Sequence, residues 1–289
     1  MKQHVISSCR SLAVASVVAV FVLAGCESTG AIDSRPLSGQ QKLSPASDLH
    51  IADSALSAGN TELALTLYDK ALQARPDSIE AQLGLADTVY QAGDLERARV
   101  LYARTAAAAP SNPRPKLGLA RVALRQRRLD AAAALYRTLA AQLPDNPVTA
   151  EGLGTVLDLQ GRHDEAQAVY RAALRAHPEV QGLTTDLGLS LILANKPREA
   201  ANVLLEIAGL ANAPPQARQN LALAYALLGN RSAAKQILQA DLPLASVEDN
   251  LRFYETFRTK LGPPTEAAAA TRLGTVSAER VARDTETAK

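Results

Sequence analysis

The 289-residue chain contains no tryptophan, one methionine, three phenylalanines and two cysteines. Each scarcity excludes something. Two cysteines cannot staple a disulfide-rich fold or complete a thiolate zinc site. Lysine plus arginine number 31 against 29 aspartates plus glutamates, so the overall balance argues against nucleic acid or an anionic surface as the target. Strand signals are missing, and with them any glycine-rich phosphate loop that would follow a strand. The apolar run from Ser11 to Val22 falls short of the roughly 20 residues that a permanent membrane helix needs.

Short amphipathic segments are what the chain does have. In PVTAEGLGTVLDLQGRHDEAQAVYRAALRAHPEV, from Pro147 to Val180, Ala150, Leu153, Gly154 and Leu157 share one helical face. Ala166, Val169, Tyr170, Ala173 and Leu174 share another, Gly161 lies between the two segments and Pro178 closes the second. Such a hairpin carries too few large side chains to bury its own stripes, so it must stack on copies of itself. Copies recur every 34 residues, starting at Pro45, Ile79, Pro113, Pro147, Gln181 and Pro215.

Several positions of the unit hold their character throughout. The seventh reads Ile51, Leu85, Leu119, Leu153, Leu187, Leu221, and the eighth reads Ala52, Ala86, Ala120, Gly154, Gly188, Ala222. The twentieth is always alanine (Ala64, Ala98, Ala132, Ala166, Ala200, Ala234), small enough to let two helices approach closely. A wedge follows at the twenty-fourth: Tyr68, Tyr102, Tyr136, Tyr170, Leu204, Leu238. Pro76, Pro110, Pro144 and Pro178 end second helices, while Asn112 and Asn146 stand as N-caps before a first-position proline. Gly59, Gly93, Gly161 and Gly229 fall at the turns, where Arg127 and Asn195 replace glycine in the third and fifth units.

At these residues the chain resembles the tetratricopeptide repeat over about two-thirds of its length. The resemblance implies an all-α, right-handed superhelix, an α-solenoid of about six helix-turn-helix repeats over residues 45–242. A capping helix over 243–261 would close it. That helix is expected to begin with Ser246 as cap and Asp249 as capping-box acid, and to run to about Lys260. Phe253 and Phe257 share a face of it, placed to cover the stack or to meet a partner. Residues 262–289 lack a sustained apolar stripe and read as a disordered tail.

Lys2, Arg10 and the apolar run, followed by Leu23-Ala24-Gly25-Cys26, resemble the signal and lipobox of bacterial lipoproteins. The resemblance implies cleavage before Cys26, a diacylglycerol thioether on its sulfur and acylation of the new amino terminus. A thiolate supplies the nucleophile, and more than one acyl chain anchors stably. Removal of residues 1–25 takes two basic groups and no acid, leaving 29 of each. Glu27 after the cysteine implies the outer membrane, and the polar residues up to Ser44 read as a flexible tether.

First helices line a concave groove in this family, at positions 2, 5, 9, 12 and 13 of each unit. The lining is then acidic at Asp53, Glu80 and Asp87, with Tyr90 beside them. It turns basic at Arg114, Arg121 and Arg125, with Leu117 and Leu124, and apolar at Leu189, Ile192, Leu193, Leu223 and Leu227. Between Pro113 and Leu129 there are six basic residues and no acid. Such a groove suits an amphipathic, acid-bearing segment. The alternative is that the arginines are a solvated face and the leucines are buried against a neighbouring unit or the last helix. The Lys and Asn pattern with which some relatives clamp a C-terminal carboxylate is missing: the fifth positions read Leu49, Leu83, Leu117, Glu151, Thr185 and Gln219. His50, His163 and His177 lie in different units, and no catalytic set, metal spacing or cofactor motif emerges, so a non-enzymatic role is expected.

The last unit and its extension, with Asn220-Leu221-Ala222, Gly229, Asp241-Leu242 and Asn250-Leu251, resemble TadD-type lipoproteins of tight-adherence (Flp) pilus systems. That resemblance implies a lipid-anchored scaffold for pilus assembly or secretion, its repeats facing the periplasm. The partners would be other components of the machine, including the outer-membrane secretin. A pilotin-like factor that places and multimerises the secretin is the other function compatible with a tethered superhelix.

Overall fold

The computed structural model describes residues 45–263, and side chains from residue 47. The expected signal segment, Cys26, the tether and all but the start of the tail lie outside the described residues. Within them the chain forms thirteen helices and no strand. The first helices of the hairpins are α1 (Pro45–Ser57), α3 (Ile79–Gln91), α5 (Pro113–Arg125), α7 (Pro147–Leu159), α9 (Gln181–Leu193) and α11 (Pro215–Leu227). The second are α2 (Thr61–Ala74), α4 (Leu95–Ala108), α6 (Leu129–Gln142), α8 (His163–Ala176), α10 (Pro197–Ala208) and α12 (Arg231–Leu238), and α13 (Leu244–Leu261) ends the array. All six units keep the 34-residue phase.

Local chemistry sets each boundary. Asn112 accepts from the Arg114 amide at 3.0 Å and Asn146 from the Thr149 amide at 2.9 Å, each with a proline opening the helix behind it. The turn glycines have φ between 74° and 89°. Arg127 at φ 59° and Asn195 at φ 57° hold the same left-handed conformation. For Arg127 this costs about 1 kcal/mol, which asparagine largely escapes.

Each tyrosine wedge is locked by a missing side chain. The alanines at the twentieth position are fully buried, as are Tyr68, Tyr102 and Tyr170, with Tyr136 close behind. The rings of Tyr68, Tyr102 and Tyr136 lie on Gly84, Gly118 and Gly152, the sixth residue of the following unit, where an added Cβ would come within 2.1–2.3 Å of the ring. A ring can sit on a helix backbone only where no Cβ intervenes.

The fourth junction changes this arrangement. Its sixth residue is Asp186, and Tyr170 lies instead on Gly154 of its own hairpin, the small eighth position. Leu204 repeats that solution on Gly188. The wedge therefore has two seats, and the local pattern of small residues selects between them.

Every first helix packs backbone to backbone on the first helix of the next unit, whereas among the described residues no two second helices do so, and α8 and α10 meet through the Arg171–Glu199 ion pair at 3.3 Å. The second helices consequently splay apart, and the array curves with its first helices on the inner, concave side. Helix α13 takes the place of a seventh first helix. It starts at Leu244, two residues before the expected cap, so Ser246 lies inside it and its carbonyl accepts from Asn250. Asp249 pairs with Arg252 and caps nothing.

Val247, Leu251 and Tyr254 bury α13 against α11 and α12, and Arg231 and Lys235 tie it down through Glu248. Its far end reaches further back, where Asn195 donates to the Pro263 carbonyl at 2.8 Å. Phe257 and Leu261 pack against the cluster that contains Ile192 and Leu227.

Because the Tyr102 ring fills the second junction, Tyr102→Ala should lower unfolding free energy by about 3–5 kcal/mol in a urea titration followed by circular dichroism. Tyr102→Phe, which deletes only the hydroxyl, should cost about 1 kcal/mol. Equal losses for the two variants would show that the ring volume is not what holds the junction.

Candidate functional site

The concave face is built from the exposed residues of α3, α5, α7 and α9. At its centre lies Tyr90 at the end of α3, with two guanidinium groups from α5 over its ring. The Arg121 carbon is 5.6 Å from the ring centroid and that of Arg125 4.9 Å. Arg125 also donates to the Tyr90 carbonyl at 2.9 Å. The two arginines lie four residues apart, hence on one helical face, and both are exposed. Cation–π attraction holds both near the ring, while Arg121 stays exposed.

Arg114, at the start of the same helix, lies 3.7 Å from Asp87. Of the acids expected to line the groove in the first two units, Glu80 is exposed, while Asp53 and Asp87 are occupied inside the fold. Asp53 accepts from the Tyr68 hydroxyl, and Asp87 from the Tyr102 hydroxyl at 2.5 Å. Burial, together with these carboxylates, raises both hydroxyls far above the usual tyrosine range. Asp53 and Asp87 occupy the ninth position of their units, fifteen residues before the tyrosine that each binds. In the third unit that position is Arg121. The substitution removes the acceptor for Tyr136 and places a cation at the mouth of the groove, a signal available in the period but not seen from net charge.

The apolar floor needs correction. Leu189 and Leu193 are each 38% exposed, on α9. Ile192 is 0% and Leu227 5% exposed, so neither lines the groove, and Leu223 is half-buried between two core clusters. The cause is α13, whose Phe257 and Leu261 join the cluster holding Ile192 and Leu227. Phe253 stays 60% exposed, stacked on Phe257 at 6.1 Å.

Polar residues on α7 and α9 form a second feature. Ser190 donates to Asp158 at 2.7 Å, Tyr170 to the same carboxylate at 3.3 Å, and the His163 ring lies 2.8 Å from it. His163 and His177 are thus both engaged, the latter with the Asp145 carbonyl at 2.6 Å. Asp186, in place of the glycine found at the three preceding junctions, faces Glu151 and Asp158. Burial first, and then these two carboxylates, push its carboxyl up to about 7.

Among the described residues no group of three or more His, Cys, Asp or Glu is arranged to hold a metal ion, and no helix is long and apolar enough to cross a membrane.

An array of hairpins in constant phase, curved around an open polar and apolar face, defines the class of helical-repeat solenoids. The repeats are of the tetratricopeptide type, whose profile matches residues 55–122, 89–153 and 123–187 in overlapping stretches. Among solved structures, pilF of Pseudomonas aeruginosa is similar with TM-score 0.60 and 18% identity over 75% of this chain and 97% of its own. A tetratricopeptide-repeat protein of Parabacteroides merdae gives TM-score 0.60 and 12% identity over 75% and 86%. A chain of the Cut9-Hcn1 complex of the APC/C gives 0.63 and 16%, over 73% of this chain and 43% of that one. At such identities the likeness is one of fold. No curated protein matches the chain in sequence.

A carboxyl raised from its ordinary 3.8 to about 7 makes the native state the better proton acceptor between those values. The stability contributed by protonated Asp186 is complete below pH about 3.8 and is lost as pH rises to about 7. The melting temperature of the chain relative to Asp186→Asn should therefore fall from pH 5 to pH 8, in roughly that range. A constant difference would remove the raised carboxyl from the account.

Proposed function

We propose that the chain is a membrane-tethered adaptor that holds an acidic, amphipathic segment of a protein partner in its concave groove, as part of a pilus assembly or secretion machine. The observation that carries the binding half is the Tyr90–Arg121–Arg125 cluster. It sets exposed planar cations on an aromatic platform inside a curved face, one repeat before the acid-bearing α7. Arginine in that setting suits bidentate pairing with carboxylates, and its rigid fork loses little freedom on binding. The half-exposed Leu189 and Leu193 further along supply apolar area for the same segment. The pilus setting rests on the resemblance of Asn220-Leu221-Ala222 through Asn250-Leu251 to TadD-type lipoproteins. The lipid anchor rests on the lipobox ending in Cys26, and the outer-membrane location on Glu27 after it.

Arg121→Glu/Arg125→Glu should keep its helical circular dichroism and reduce retention of the other pilus-machine components, the secretin included, by about tenfold or more in a pull-down. Undiminished retention would sink the groove reading. In a deletion strain the secretin ring should remain in the outer membrane while fibre output stops; a misplaced ring would favour a pilotin instead.

The anchor is tested separately. Cys26→Ser should abolish labelling by radioactive palmitate and release the chain from the membrane fraction. Persistence of the label on the serine variant would dispose of a thioether at Cys26.

A further inference from the structure

We propose that the binding surface does not stop at the concave floor but continues over the α5–α6 turn. Arg127 and Arg128 would then join Arg121 and Arg125 in one cationic track for an acidic segment of a protein partner. The proposal extends the partner-binding reading above and rests on it.

The turn breaks two rules that the other hairpins satisfy in one way or another. Where four turns have glycine at φ 74° to 89° and the fifth has Asn195, the third has Arg127 at φ 59°. A side chain with a Cβ is strained there, and asparagine relieves the strain as arginine cannot. The next residue is an N-cap. Asn60, Asp94 and Asn230 accept a backbone hydrogen bond at that position, whereas Arg128 supplies no side-chain cap.

Two other units also cap with a cation, but the fold employs it. Arg162 is bonded to Glu165 at 2.7 and 2.5 Å, and Lys196 to Asp164 at 2.8 Å. Arg128 donates only to the neutral Gln126, at 3.3 Å, and acts on the Glu96 carboxylate only through space, so among the described residues no carboxylate is in ion-pair contact with Arg127 or Arg128. Both are exposed. Glu96, the acid nearest this turn on α4, is held by Arg99 at 3.0 Å and Gln126 at 2.7 Å. Departures from local preference that no ion pair in the fold offsets are a mark of sites kept for binding.

The chemistry selects the occupant. Four guanidinium groups within eight residues of chain, with no acid from Pro113 to Leu129, call for several carboxylates in sequence. Arg121 and Arg125 lie beside Tyr90 on the inner side of the curve, where a flat bilayer cannot reach. A slender polypeptide can enter the groove at α3 and leave it across the turn.

The test replaces the turn with the Gly-Asn pair that the first and sixth repeats carry at Gly59-Asn60 and Gly229-Asn230. Full-length Arg127→Gly/Arg128→Asn should melt at a higher temperature than the parent, because strain is relieved and a cap is gained. It should also bind a fluorescein-labelled, glutamate-rich amphipathic peptide about fivefold or more weakly by anisotropy at fixed ionic strength. Arg127→Lys/Arg128→Lys should retain most of the affinity.

Unchanged peptide affinity in the Gly-Asn variant, with binding lost in Arg121→Glu/Arg125→Glu, would overturn the extended track and leave the groove reading standing. Unchanged affinity in both variants would remove the two together. Loss of binding to phosphatidylglycerol vesicles, with peptide affinity intact, would assign the turn to a membrane contact and equally overturn the proposal.

Discussion

The seat of an aromatic ring on bare backbone governs this structure. A tyrosine placed late in each hairpin needs a nearby helix position with no side chain. Gly84, Gly118 and Gly152 provide that on the following unit, and Gly154 on the same one. Because ring and hollow fit only at one register, the contact fixes both the distance between hairpins and their phase. The rest follows: the alanine contacts within hairpins, the splaying of second helices and the inner curve. In a solenoid each unit is stabilised mainly by its neighbours, so a defect at one wedge affects a junction more than the whole.

The hydroxyls connect this packing to the groove. A ring wedged between hairpins carries its hydroxyl towards the inner face, where an unbonded buried hydroxyl would be costly. Asp53 and Asp87 satisfy it in the first two units. These acids, which position alone assigns to a binding surface, are already committed to the fold. At the ninth position the polarity that a partner meets is therefore set by the third unit, where that position is released from that duty and becomes Arg121.

Repetition made the fold legible in the sequence. Six in-phase copies of large, small, alanine and wedge positions identify helix pairs, their turns and the N-caps Asn112 and Asn146. The site was legible only in part. Exposure of Leu189 and Leu193 follows from position in the unit, but the same rule fails for Ile192 and Leu227. The cover over them comes from α13, where the 34-residue pattern has already ended. A contact between residues more than sixty apart, such as Asn195 with Pro263, has no trace in periodicity. Nor does burial predict that His163 and His177 are bonded, since that depends on Asp158 and the Asp145 carbonyl approaching through space.

A repeat protein can depart from its own code where a neighbour absorbs the consequence, and the departures here share a location. Arg121 replaces an aspartate that would bind a wedge hydroxyl, and Tyr136 remains buried without that bond because its seat on Gly152 is intact. Asp186 replaces a seat glycine, and Tyr170 moves to the hollow that Gly154 opens in place of alanine. The two replacements change the inner face one repeat to either side of α7, with a cation on α5 and, on α9, a carboxyl whose burial pushes it up to about 7. An acid introduced at a packing junction and compensated by a second change in the same pair of hairpins is hard to attribute to neutral drift in the packing alone. The redundancy of the array is what permits it: the wedge keeps a seat, and the freed position is available to set the polarity of the groove.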